Sequence, residues 1–328
     1  SNKLLVHFLL KKEIITISKT IYEEMMSKLE SNGNRYCYFF YPELEKFSGK
    51  ELMKNIKKEL LEINENIFEY YEDKRQEGEN DSYICSLIRQ DSVEDFISYM
   101  NRNNFSLSSK IHHSIFETNS FLIEKKNTTL IEYAAFFGSF QIFQYLLMNK
   151  IILKPSLWFY AIHSKNAELI HLLETNNVRP PKFHNNNNHS KNAELIHEDE
   201  SNKVTPYLRR HHARCLIKIP FKNNNEEEEE EEEDNTDKNY ILCLTESIKC
   251  HHNDITEYFI NNFIDDKEIN SAQKVEIISK IIKYFNYKYF EIDDIIEHGF
   301  FYLNHYNYNE LVNFLLKKKE KIIESKLI

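Results

Sequence analysis

The run Thr129-Leu-Ile-Glu-Tyr-Ala-Ala-Phe-Phe-Gly-Ser-Phe-Gln-Ile-Phe-Gln-Tyr-Leu-Leu147 holds two short apolar segments parted by Gly138-Ser139. Thr129 and Glu132 have the spacing of a capping box, which satisfies free amides at a helix start. Ala134-Ala135 supplies small side chains where two helices approach closely. Ile142, Tyr145 and Leu146 fall on one stripe of a second helix. The stretch predicts a helix hairpin, and a single hairpin cannot bury its apolar face without a neighbour.

The same internal spacing recurs along the chain. Taking Ala134 as anchor, apolar residues follow at +8, +11 and +12. Ala161 is followed by Leu169, Leu172 and Leu173, and Ser247 by Ile255, Tyr258 and Phe259. Leu303 is followed by Leu311, Phe314 and Leu315, and Cys85 by Val93, Phe96 and Ile97. Five occurrences predict a stack of hairpins, with the +8, +11 and +12 residues as the buried stripe. Ser156, after Pro155, is expected to cap the helix of Trp158 to Ile162. Pro180 and Pro181 stop the chain beyond Leu173.

Residues 129–147, with Ala-Ala, Gly and Leu-Leu in register, resemble the ankyrin consensus, and Ser156 to Glu174 is similar. The wider chain resembles a divergent ankyrin-related family of uncharacterised function that is expanded in some parasitic protists. The likeness also rests on Asp91 to Tyr99, Ser114 to Ser120 and Glu246 to Asp254. It covers roughly residues 80–179 and 240–316. Leu130 and Glu132 replace the Pro and His of the ankyrin helix start. Ala134 to Ala161 spans 27 residues, against ~33 in a standard repeat, so the β-hairpin finger is expected to be short or absent. The resemblance implies an all-α, ankyrin-like solenoid that binds a protein. It also implies that the +2 and +3 positions face the partner. These are Phe136, Phe137, His163, Ser164, Lys249, Cys250, His305 and Tyr306.

Outside the repeats, residues 1–75 show helical periodicity, with Leu4, Leu5, Phe8 and Leu9 on one face and Ile56, Leu60, Ile63 and Ile67 on another. Two to four helices are expected there, with Tyr36 to Pro42 as an aromatic connector. Repeats occupy 76–181, and repeats with C-terminal helices occupy 239–328. Between them, 182–238 is rich in Asn and Glu and is expected to be disordered. His189 to His197 repeats His163 to His171 without a mismatch, then runs into Glu198-Asp199-Glu200, which ends the apolar stripe.

Composition excludes several classes. Five glycines and six prolines in 328 residues favour helices. The net charge is -10, and Glu226 to Asp234 carry nine of those charges, which leaves -1 elsewhere. No global basic field for nucleic acid remains. Arg209 to Arg214 is a short basic cluster within the insertion. With the Glu run it supports an alternative reading as a nuclear or chromatin-associated binder. The five cysteines are scattered without a C-x-x-C, which fits a reducing compartment and a cytoplasmic location, with a nuclear one as the alternative. No apolar run reaches the ~18 to 20 residues of a membrane span, and Leu4 to Leu10 is too short for a signal peptide.

Catalytic chemistry has little material. Phosphate-cradling glycine loops, H-E-x-x-H and G-x-S-x-G are missing from the sequence. Cys243 and Cys250 are seven apart, a spacing that lets both face one way on a helix as zinc ligands would. Cys243 stands one turn before the anchor, where Leu130 and Leu157 stand in other units, so core packing is the expectation. His112-His113 and His211-His212 lack partners at ligand spacing. No enzyme activity, cofactor, metal or small-molecule substrate is expected, and nucleic acid is not the expected partner.

Overall fold

The computed structural model describes residues 3–27, 35–46, 50–125, 127–181, 240–264, 269–289 and 300–306, with 308, 310, 312, 313 and 316. The insertion at 182–238 lies outside the described residues. So do the copied segment His189 to His197, the basic cluster, the Glu run, Cys215, Leu311, Phe314 and Leu315. Among the described residues the chain is helical and has no strand. No helix among them is long and apolar enough to cross a membrane.

The chain divides into two compact units, residues 1–180 with 250–255, and 181–249 with 256–328. The first unit begins with α1 (Lys3–Lys11), α2 (Lys19–Ser27), α3 (Arg35–Phe39), α4 (Tyr41–Leu44), α5 (Lys50–Ile63) and α6 (Tyr71–Glu77). Sequence periodicity anticipated fewer elements here. The aromatic stretch read as a connector is instead helical, with Pro42 at the start of α4, where its missing amide costs nothing. Phe39, Phe40 and Leu44 form the centre of a core with Ile56, Leu60, Tyr71 and Phe116. Ile63 stays exposed. In α1 the expected face is reversed: Leu5 and Phe8 are exposed, while Lys3 and His7 are buried.

Three hairpins follow in the first unit: α7 (Tyr83–Arg89) with α8 (Val93–Arg102), α10 (Leu130–Phe137) with α11 (Phe140–Met148), and α12 (Leu157–Ser164) with α13 (Ala167–Thr175). The short α9 (Ser120–Glu124) lies in the connection between the first two. The first helices pack side by side in the order α7, α10, α12, and α8 packs on α11. Ala134 and Ala161 are fully buried at those crossings.

The first helix of each of these three hairpins ends in a left-handed residue. Ser139 N bonds Ala134 O at 2.9 Å and Gly138 N bonds Ala135 O at 3.2 Å, with Gly138 at φ +70°. This is a Schellman motif, which satisfies the last carbonyls and reverses the chain. Asp91 (φ +51°) and Lys165 (φ +57°) occupy the same place in the neighbouring hairpins. The equivalence corrects the first anchor: Ser92 N bonds Leu87 O, so Leu87, not Cys85, matches Ala134. It also corrects the buried stripe. Ile142, Phe143 and Leu146 are buried, as are Leu169, Ile170 and Leu173, whereas Tyr145 and Leu172 are half-buried. In these two hairpins the stripe is therefore +8, +9 and +12, rotated slightly from the expected +8, +11 and +12, while α8 buries Phe96 and Met100, +9 and +13 from Leu87.

Capping matches expectation at Thr129, where both arms of the capping box form with Glu132. It differs at Ser156, which is itself helical and makes no cap bond. Its hydroxyl instead donates to Glu132 Oε1 of the previous hairpin at 2.7 Å.

The second unit contains α14 (Ile241–Lys249), α15 (Asn253–Phe263) from Thr256 onward, α16 (Ser271–Lys283), a 3-10 turn (Tyr287–Tyr289) and α17 (Phe300–His305). First helices again adjoin, α14 on α16 and α16 on α17. Phe285 (φ +57°) and the bond from Asn286 N to Ile281 O reveal another anchor, Ile281, which the sequence pattern missed. The bond from Tyr308 N to Leu303 O places Leu303 at the same position.

Two stability tests follow from the crossings and turns. Enlarging Ala134→Leu adds methylenes to a filled crossing and should cost about 1 to 3 kcal/mol. A Cβ on Gly138 meets Ser164 Cβ at an ordinary 3.6 Å, so Gly138→Ala should cost only its left-handed strain, about 1 kcal/mol. The exposed Lys150 carries the same strain at φ +60°, and Lys150→Gly should gain up to about 1 kcal/mol. Denaturation midpoints that move oppositely for Gly138→Ala and Lys150→Gly would verify the turn assignment.

Candidate functional site

The turns hold the hairpins together through side chains. Ser139 Oγ donates to Ile88 O at 2.5 Å, one residue past the preceding anchor. Asn166 Nδ2 reaches Gly138 O at 3.5 Å. In the second unit Asn286 Nδ2 donates to Ile248 O at 3.0 Å, again one past an anchor. Asp91 goes further. Its carboxylate accepts from Gln141 N at 3.0 Å and Ile142 N at 2.9 Å, capping α11 of the next hairpin, where Ser139 makes no cap bond. An anion there also meets the positive end of the helix.

Beside these turns in the first unit lies an aromatic face built from the ends of α7, α10 and α12. Phe136 stacks on Phe121, centroids 5.8 Å apart and planes 10° apart, and on His163 at 5.4 Å. Phe121 also lies 4.1 Å from His163 and meets Tyr160 edge-on at 4.9 Å. Phe137 packs on Tyr133 at 4.7 Å, and Arg89 lies over its ring at 5.9 Å. Arg89 Nη1 donates to Tyr133 Oη at 3.0 Å and to Asn80 O, while Nε pairs with Glu79 at 2.6 Å. Lys125 covers the far side, over Phe121 and Phe159. Burial pushes the Tyr133 and Tyr160 phenols up, so both stay neutral.

Phe136, Phe137 and His163 are half-buried, each packed against neighbouring rings and partly open to solvent. Ser164 serves its own turn: Oγ donates to Ala161 O at 2.7 Å and accepts from Asn166 N. Cys250, in the segment that packs within the first unit, has Sγ 3.5 and 3.6 Å from the two His163 ring nitrogens. Near-equal distances set the sulfur against the ring rather than on one lone pair. In the second unit Lys249 pairs with Glu246 at 3.0 Å and lies over Tyr284. His305 is exposed beside Tyr306, whose ring is half-buried against the Ile278, Ile282 and Leu303 cluster. The structure thus gathers Phe136, Phe137, His163, Ser164 and Cys250 in the first unit, and Lys249, His305 and Tyr306 belong to the second.

Sequence reasoning missed Arg89, Phe121, Tyr160 and Lys125. Arg89 stands at +2 from Leu87, a place hidden while Cys85 served as anchor. Phe121 sits in the α8 to α10 connection, which has no long helical period to mark it; Asn119, whose Oδ1 caps α9, was the available signal.

The buried thiols are chemically quiet. Burial pushes the Cys37 and Cys85 thiols up to about 11 and the Cys243 thiol well above its usual value, which keeps them protonated. Cys243 is fully buried in the core of the second unit. A cavity of about 20 Å³ beside Asn80, His113, Ser114, Glu117 and Tyr133 has room for one water, not a substrate.

Searches of family models, curated proteins and solved structures return no match to this chain.

Removal of the Asp91 carboxylate should separate cap from packing. Asp91→Ala is expected to destabilise by about 0.5 to 2 kcal/mol, the usual loss for a helix cap. Hydrogen exchange should localise the opening to α11, in the next hairpin, rather than to α8. A loss confined to α8 would show that the inter-hairpin cap carries no energy.

Proposed function

We propose that this chain is a non-catalytic, ankyrin-like solenoid whose aromatic face on α10 and α12 binds a protein partner. The observation that carries the reading is the row of half-buried rings, Phe136, Phe137 and His163, on consecutive stacked hairpins. Rigid aromatic groups with solvent-accessible edges lose little entropy on binding and are the usual anchors of interfaces. Regular hairpin turns and adjoining first helices support the ankyrin-like reading; no strand forms among the described residues of the 149–156 connection, in keeping with a partner held by helix ends rather than fingertips.

The rival nuclear reading depends on residues 209–222 and 226–234, outside the described residues. Affinity capture with the full chain and with 182–238 deleted separates the two. Capture that survives the deletion, and falls at least tenfold in Phe137→Ala and His163→Ala with melting little changed, supports the aromatic face. Exposed Gln144 on α11 is the control, and Gln144→Ala should bind as the parent does. Capture that is lost with the insertion, or untouched by Phe137→Ala and His163→Ala, overturns the proposal.

A further inference from the structure

The N-terminal helix is seated by charge as well as by hydrocarbon, for Val6 and Leu10 pack against the core of the first unit. On α1, Lys3 is fully buried; its ammonium donates to Ile115 O at 3.3 Å and Glu117 O at 3.1 Å and lies over the Tyr36 and Phe39 rings. One turn later, His7 Nδ1 stands 2.7 Å from Arg75 Nη2 of α6. A guanidinium only donates, so Nδ1 accepts and the imidazole proton sits on Nε2, 3.2 Å from Glu72 Oε1. Arg75 is 1% exposed and also holds Glu43 of α4 at 2.6 Å and Glu72 at 3.4 Å. The charged groups facing His7 are therefore Lys3 and Lys11 from α1, Glu43 from α4, and Glu72 and Arg75 from α6. The Phe39 ring closes one side.

This arrangement admits one protonation state. A proton on Nδ1 would set N–H against N–H at 2.7 Å, beside a guanidinium that cannot give up its charge. We propose that His7 is an acid-sensitive latch: α1 is seated on α6 while the imidazole is neutral and is released when it takes a second proton. Burial and the Arg75 charge both hold the His7 pKa below its ordinary 6.5, against the pull of Glu72 and Glu43, in agreement with the geometry. Because the seated value is the lower one, the full seating free energy is present above 6.5. It declines as pH falls below 6.5, by up to tenfold in the seated-to-released ratio per pH unit, until the seated value is passed. Release would uncover the buried faces of α1 and α6, a local opening rather than unfolding of the hairpins.

Hydrogen exchange on the full chain, between about pH 7.5 and 5 and corrected for intrinsic exchange, tests the latch. Protection of the α1 amides should fall by up to tenfold per unit below pH 6.5, while the α10 amides keep theirs. In His7→Asn the side-chain carbonyl replaces Nδ1 as the acceptor for Arg75 and does not titrate, so the α1 profile should become flat. If that variant lacks α10 protection it has not folded, and His7→Gln takes its place. A flat wild-type profile, or a slope that persists in a folded variant, overturns the proposal.

Discussion

A single backbone reversal, repeated, is the constraint on which the hairpins depend. Each first helix must turn back within a few residues, or its partner helix would leave the apolar stripe uncovered. The left-handed residue of the Schellman motif makes that turn and satisfies the carbonyls the helix leaves free. Glycine does this without strain, yet only Gly138 does it in the hairpins of the first unit. Asp91 and Lys165 adopt positive φ despite their side chains. The strain is tolerable because the turn then does further work: Asp91 caps the next hairpin, and the residues after Gly138 and Lys165 reach back to the hairpin before. Turn geometry and stacking are thus coupled, and stacking in turn aligns the rings of Phe136 and His163.

That coupling explains which parts of the fold were legible in the sequence. Helical class followed from composition and period, and the hairpin at 129–147 followed from Thr129, Gly138 and the stripe between them. Register was legible at Ala134, where glycine marks the turn, and also at Ala161, Ser247 and Leu303 from the apolar spacing alone. At Asp91 and Phe285 the left-handed residue carries no glycine mark, and there the first anchor was read two residues early and Ile281 was missed. Positions +9 and +11 lie on opposite flanks of the +8 and +12 pair. An alphabet in which Tyr counts as apolar cannot choose between them, and the structure buries Phe143 while leaving Tyr145 half-covered. Of the candidate face, the members that follow a correctly placed anchor were found, and Arg89 was not. Phe121 and Lys125 were not, since a connecting segment has no period to betray which side it presents.

Ser156 shows a different failure. Its position before an apolar helix, after a proline, has the form of a cap, but Glu132 of the neighbouring hairpin competes for the hydroxyl. Glu132 already accepts from Thr129 with its other oxygen. A buried carboxylate is costly unless each oxygen is satisfied, so the interaction with the larger desolvation cost at stake takes the hydroxyl. Local propensity gives way to the demand of a buried charge.

The same ranking governs the N-terminal helix, where hydrophobic patterning pointed to the wrong face. Burying Leu5 and Phe8 would gain about 1.5 to 3 kcal/mol each. Leaving the Arg75 guanidinium, at 1% exposure, without partners would cost more, because a desolvated charge is tolerated only when paired. Lys3 and His7 are drawn inward because the surroundings supply what they need: two carbonyls and two rings for the ammonium, a donor and a carboxylate for the imidazole. Even so, His7 Nε2, Glu43 Oε2 and Arg75 Nε lack well-formed hydrogen bonds. A cluster satisfied only in part is poised near balance, and one added proton is then a large perturbation. Apolar packing fixes the hairpins; the helix that precedes them adds to the apolar contacts of Val6 and Leu10 a set of charges whose balance depends on the protonation of one ring.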